Sequence, residues 1–100
     1  MIMETKVQAV NFTVEQELVD FVNTRLEKLT QFTDQITTRE VFLKVDKSDV
    51  GINKIAEIKL NLPGKELFAK KQCDTFEEAV DNVCDALKKQ ILKHKGKVLS

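Results

Sequence analysis

Ile55-Ala56-Glu57-Ile58-Lys59-Leu60-Asn61-Leu62-Pro63-Gly64-Lys65-Glu66-Leu67-Phe68-Ala69-Lys70-Lys71-Gln72-Cys73 is the stretch that decides the fold. Ala56, Ile58, Leu60 and Leu62 alternate with Ile55, Glu57, Lys59 and Asn61, the period of a strand with one face toward a core. Leu62-Pro63-Gly64-Lys65 then suits a type II turn, because proline presets φ at the first central position and glycine accepts the positive φ of the second. Glu66 to Cys73 returns as a strand with Leu67, Ala69 and Cys73 inward and Lys71 as the one interruption of that face. The product is an antiparallel hairpin whose apolar face must be covered.

The covering layer is found by moving outward. Upstream, Ser48-Asp49-Val50-Gly51 supplies turn residues, and Ile36 to Asp46 reads as a further strand, with Val41, Leu43 and Val45 facing opposite to Glu40, Phe42 and Lys44. Before it, Thr13-Val14-Glu15-Gln16 has the form of a capping box, so a helix is expected to start there. Leu18, Val22, Leu26 and Leu29 recur at helical spacing behind that box. Met3 to Phe12 alternates Thr5, Val7 and Ala9 with Lys6, Gln8 and Val10, and is read as the first strand. Downstream, Thr75-Phe76-Glu77-Glu78 is a second capping box, followed by the stripe Phe76, Val80, Val83, Leu87 and Ile91. The order is therefore β-α-β-β-β-α, an α+β fold with a four-stranded sheet and both helices on one face.

At 100 residues with 42% hydrophobic side chains, the chain suits one core, and residues 1–100 are read as a single domain. Sixteen Lys+Arg against 16 Asp+Glu give a formal charge of zero, so any polyanion-binding surface must arise from charge placement. The first residues show no cationic segment leading into an apolar run, and no apolar run is long enough to cross a bilayer. A cytoplasmic protein without membrane association is expected. Cys73 and Cys84 lack CxxC spacing or a flanking His, and read as small apolar residues rather than metal ligands.

The sequence holds one histidine, His94, and no GxSxG, P-loop, GxGxxG or HExxH pattern, so neither an enzyme nor a cofactor is expected. His94 follows Leu87 by seven residues and keeps phase with the apolar stripe, which gives it no catalytic role. Glu77, Glu78, Asp81 and Asp85 fit a solvated helix face. The stretch from Lys88 to Lys97 carries five lysines, at 88, 89, 93, 95 and 97, and no acidic residue. In helical phase Lys89 and Lys93 lie on one flank of the stripe and Lys88 and Lys95 on the other, while Arg25 and Lys28 border the stripe of the first helix. A charge pattern of this kind is equally that of a helix whose lysines merely complement its dipole.

Three segments carry a more specific signal: residues 18–29 (Leu18-Val19-Asp20-Phe21-Val22-Asn23-Thr24-Arg25-Leu26-Glu27-Lys28-Leu29), residues 74–81 (Asp74-Thr75-Phe76-Glu77-Glu78-Ala79-Val80-Asp81) and residues 85–97, ending Lys93-His94-Lys95-Gly96-Lys97. Together they resemble the ribosome hibernation promoting factor family, also called sigma-factor modulation proteins. The resemblance implies a β-α-β-β-β-α fold similar to double-stranded RNA-binding domains, with the small ribosomal subunit and its RNA as partners. It also implies steric exclusion from the channel of messenger and transfer RNA. The cationic positions it brings across are Arg25, Lys28, Lys89, Lys93, Lys95 and Lys97, with His94 matching in identity and Lys88 basic where relatives vary. Ala86 departs from the pattern, standing where a basic residue is common. Lys70 on the return strand is counted as an additional RNA contact without a family counterpart. Long members carry a further dimerisation domain, and this chain resembles the short form. A rival reading is a protein-interaction module, such as a sigma-factor modulator, working through Phe42, Ile55 and Phe68 on the outer sheet face; a weak homodimer would cover the same residues.

Overall fold

Along the chain run β1 (Glu4–Val10), α1 (Gln16–Thr30), β2 (Thr38–Val45), β3 (Lys54–Leu62), β4 (Lys65–Cys73) and α2 (Phe76–Leu99). The computed structural model describes residues 4–10, 12–32, 35–47 and 51–99, and within them the side chains of residues 5–93. The strands form one sheet in the order β1-β2-β3-β4. β2, β3 and β4 pair antiparallel, as the hairpin pattern predicts, whereas β1 pairs parallel to β2. Parallel neighbours need a crossover, and α1 supplies it.

Pro63-Gly64 closes the β3–β4 hairpin, with Leu62 opposite Lys65 and Gly64 at φ 72°, the left-handed value that a type II turn demands after proline. Of the turn expected at 48–51, only Gly51 lies within the described residues. Registers align the inward residues in rows across the sheet. Val7, Val41, Ile58 and Ala69 form one row, and Ala9, Leu43, Ala56 and Lys71 the next. The apolar members of β2, β3 and β4 in these rows are buried, while Lys71 on the outermost strand stays exposed.

Both helices lie on this face. Val22, Leu26 and Leu29 of α1 and Val80, Val83, Leu87 and Ile91 of α2 close over the sheet residues. Each fully buried Leu or Ile contributes about 1.5–3 kcal/mol, which makes this shared layer the main source of stability. A third row, Thr5, Arg39, Leu60 and Leu67, places a guanidinium inside the layer. Arg39 is 5% exposed; its Nε donates to Thr5 Oγ1 at 2.7 Å and one terminal nitrogen meets Glu27 Oε1 of α1 at 3.5 Å. Sequence reasoning assigned Arg39 nothing.

The two capping boxes fare differently. At α2 the Glu78 amide donates to Thr75 Oγ1 at 3.1 Å, as expected. At α1 the box at Thr13 is not used: Glu15 is the N-cap, extended at φ −86° and ψ 151°, with no side-chain cap, and the helix begins at Gln16. The reason is tertiary. Phe12 stacks on Phe76 at 4.8 Å between centroids and Val14 packs against the core, and these contacts keep residues 12–15 non-helical past the position where the local signal would start a helix.

On the outer face charges alternate. Lys6, Glu40, Lys59 and Phe68 form one row, and Gln8, Phe42, Glu57 and Lys70 its neighbour, with ion pairs Lys44–Glu57 at 2.9 Å and Lys59–Glu40 at 3.6 Å. Phe42, Ile55 and Phe68 face outward as expected; Phe42 and Ile55 are diagonal neighbours, but Glu57, Lys59 and Lys70 set Phe68 apart from them, so the three do not merge into one apolar patch. On the open side of β4, the Phe68 carbonyl accepts a hydrogen bond from Gln90 Nε2 of α2 at 3.0 Å. This bond removes one free acceptor from an edge strand.

Candidate nucleic-acid interface

Three contacts fix how the helices lie together. Phe12, ahead of α1, meets Phe76 at the start of α2; Arg25 meets Asp81; and Phe32, past the end of α1, meets Lys88. Both residue numbers rise together through this series, so α1 and α2 run in the same direction, with the end of α1 beside the middle of α2, which continues to Leu99. Lys28 sits in the last turn of α1, where free carbonyls favour a cation, and the first turns carry Glu17, Glu77 and Glu78 for the complementary reason.

Between the helices is a cleft of about 340 Å3, whose walls include Arg25, Lys28 and Phe32 from the α1 side and Asp81, Asp85 and Lys88 from α2. Lys88 Nζ stands over the Phe32 ring, 5.1 Å from its centroid. Arg25 is treated differently from the lysines. Its Nε lies 2.7 Å from Asp81 Oδ1, off the N–H direction, so the contact is an ion pair without a directed hydrogen bond; the guanidinium carbon stands 4.8 Å from the Phe21 ring centroid. Cys84 forms part of the cleft wall, and burial, reinforced by the Asp81 carboxylate and opposed by Arg25, pushes its thiol up to about 12. A thiol so held is not a nucleophile at neutral pH.

Lys89 and Lys93 occupy the opposite flank of α2. They lie seven and eleven residues beyond Asn82, whose amide reaches Cys73 Sγ of β4 at 3.4 Å, and so face the β4 side. Lys28, Lys88, Lys89 and Lys93 are exposed, and among the described residues none has a carboxylate within ion-pair distance. The side chains of His94, Lys95 and Lys97 lie outside the described residues. Lys70, opposite Glu57 in the register, points to the outer face of the sheet, away from both helices. The structure thus brings Arg25, Lys28 and Lys88 together at one cleft, sets Lys89 and Lys93 on the other flank of α2, toward β4, and separates Lys70. Among the described residues no three His, Cys, Asp or Glu side chains converge as metal ligands, and no helix is long and apolar enough to cross a membrane.

The β-α-β-β-β-α frame has close parallels. Residues 5–99 match the family described as Sigma 54 modulation protein / S30EA ribosomal protein. The chain belongs to this family. Within it, a protein of Klebsiella oxytoca named ribosome hibernation promoting factor is 31% identical over 96 residues, covering 96% of this chain and 97% of the relative. The Escherichia coli K12 protein of the same name is 29% identical over 96 residues. Among solved structures, a ribosomal subunit interface protein from Coxiella burnetii superposes with a TM-score of 0.85 at 20% identity, covering 94% of this chain and 99% of that one. The N-terminal domain of Thermus thermophilus Protein Y gives a TM-score of 0.80 at 22% identity. These two likenesses establish that the β-α-β-β-β-α arrangement is the fold of such proteins.

Proposed function

We propose that this member of the family is a cytoplasmic, non-catalytic hibernation factor. In this reading it binds the small ribosomal subunit through phosphates of the ribosomal RNA and suppresses translation by occupying the channel of messenger and transfer RNA. The observation that carries the proposal is the set of exposed lysines, Lys28 in the last turn of α1 and Lys88, Lys89 and Lys93 in the C-terminal half of the parallel α2, none with a carboxylate within ion-pair distance among the described residues. Lysine–phosphate contacts hold a protein in register with little sequence preference, and folded RNA is read largely by shape. A rigid body presenting several amines at one end suits that task. The outer sheet face, with its compensated charges and divided apolar residues, gives the protein-interaction alternative less support.

Cosedimentation with isolated small ribosomal subunits across a salt series tests the proposal. Each phosphate neutralised adds roughly 0.7–0.9 to the slope of log affinity against log salt, so the four lysines account for a slope of about three. Replacing Lys28, Lys88, Lys89 and Lys93 by Gln is expected to weaken binding and lower this slope by about three, while the far-UV circular dichroism spectrum stays unchanged. Binding indifferent to salt, or undiminished in the variant, overturns the proposal.

A further inference from the structure

Asp81 is an anomaly in the proposed RNA-binding surface. With Asp85 it places carboxylates in the wall of a cleft that also holds Arg25, Lys28 and Lys88, and of the two only Asp81 is paired with one of those cations; a carboxylate beside an RNA phosphate is repulsive. Stability does not explain it well, since with side chains 33% and 46% exposed the Arg25–Asp81 pair belongs to the class that contributes little to folding.

The geometry points to a positioning role: we infer that Asp81, with Phe21, holds the Arg25 guanidinium so that its two terminal nitrogens are presented as a fork to a single RNA phosphate. The inference rests on the proposed function and deepens it. Asp81 engages Arg25 at Nε, the inner nitrogen, which is buried. Phe21, one helical turn before Arg25, supports the guanidinium at 4.8 Å. The two terminal nitrogens have no acceptor among the described residues. A guanidinium fixed at its inner edge and supported on an aromatic ring keeps its outer edge in the planar, two-pronged form that matches two phosphate oxygens. Arginine otherwise loses side-chain freedom when it binds, and a side chain ordered beforehand avoids that loss. Among the described residues Lys28, Lys88, Lys89 and Lys93 have no comparable carboxylate support and act as point charges.

Asp81→Asn separates this inference from simple electrostatics because the two predict opposite signs. Affinity for isolated small ribosomal subunits is measured across salt for the wild type, Asp81→Asn, Arg25→Lys, Arg25→Gln and the double variant Asp81→Asn/Arg25→Gln. Positioning predicts that Asp81→Asn weakens binding about two- to tenfold although the chain gains positive charge, with the salt slope unchanged. Arg25→Lys, which keeps the charge and loses the fork, weakens binding similarly, and in the Arg25→Gln background Asp81→Asn has no weakening effect. Phe21→Leu gives a second arm that alters no charge and is expected to weaken binding only while Arg25 is present. Asp81→Asn binding as tightly as the wild type or more tightly overturns the inference, as does equal weakening with and without Arg25. A wild-type protein with no salt-sensitive binding overturns the proposed function itself, and the positioning role with it.

Discussion

Lys88 Nζ lies 5.1 Å from the centre of the Phe32 ring, joining the middle of α2 to the residue just beyond the end of α1. An exposed ammonium above an aromatic face gains about 0.5–1 kcal/mol, enough to bias where a long side chain spends its time. The contact keeps this amine over the mouth of the inter-helix cleft. The Lys88 ε-methylene protons are expected to show an upfield ring-current shift in the wild type and to lose it in Phe32→Leu, which retains an apolar side chain. Thermal unfolding should register a loss of no more than about 1 kcal/mol. An unchanged Lys88 resonance would show that the ring does not hold it.

The two helix starts give a paired test of capping. Thr75→Ala removes the acceptor of the Glu78 amide and is expected to lower stability by about 1 kcal/mol. Thr13→Ala, at the box that the fold bypasses, should change stability by less than about 0.5 kcal/mol. Urea midpoints of the two variants check this, and equal losses would contradict the observed start of α1.

Arg39 offers a test of a buried charge. One of its terminal nitrogens is buried without a hydrogen-bond partner, and its carboxylate contact, Glu27, is 68% exposed and 3.5 Å away. The ion pair therefore contributes little, and the aliphatic stem packed in the layer contributes more. Arg39→Met should leave stability within about 1 kcal/mol of the wild type or raise it, whereas Arg39→Ala should cost about 2–3 kcal/mol. If Met costs as much as Ala in thermal unfolding, the charge rather than the packing holds the site.

Cys84 links stability to alkaline pH. Its thiol ionises at about 12 in the fold against an ordinary value of 9.0, because burial and then the Asp81 carboxylate disfavour the thiolate. The folded pKa is the higher, so the favourable contribution is complete below pH 9.0 and is lost as pH rises toward about 12. The urea midpoint of the wild type relative to Cys84→Ala should fall across that window, and a constant difference would refute the shift. At pH 8 a thiol reagent should label the partly exposed Cys73 well before Cys84.

How much of this was legible in the sequence depends on how far each signal reaches along the chain. Strand and helix identities followed from alternation and from stripes such as Val80, Val83 and Leu87, because burial on one face leaves a local period. The start of α1 was misplaced because Phe12 and Val14 are held by partners distant in sequence, above all Phe76, which no local pattern encodes. The lysines of α2 were visible as a run. Period alone also puts Arg39 on the inward face with Val41 and Leu43, although a guanidinium there runs against the usual apolar filling of such a position. What could not be read was the pairing of Arg25 with Asp81, since it depends on the relative placement of two helices separated by three strands.

The shared direction of α1 and α2 has one last consequence. With zero net charge, the protein experiences almost no mean pull from a distant polyanion. Its acidic helix starts and lysine-bearing helix ends nonetheless form opposite poles, so a polyanion's field first exerts a torque, turning the lysines forward before appreciable attraction begins. Such a body arrives already oriented where a concave surface can reach several of its amines together, and it dissociates readily from stray polyanions that touch only one.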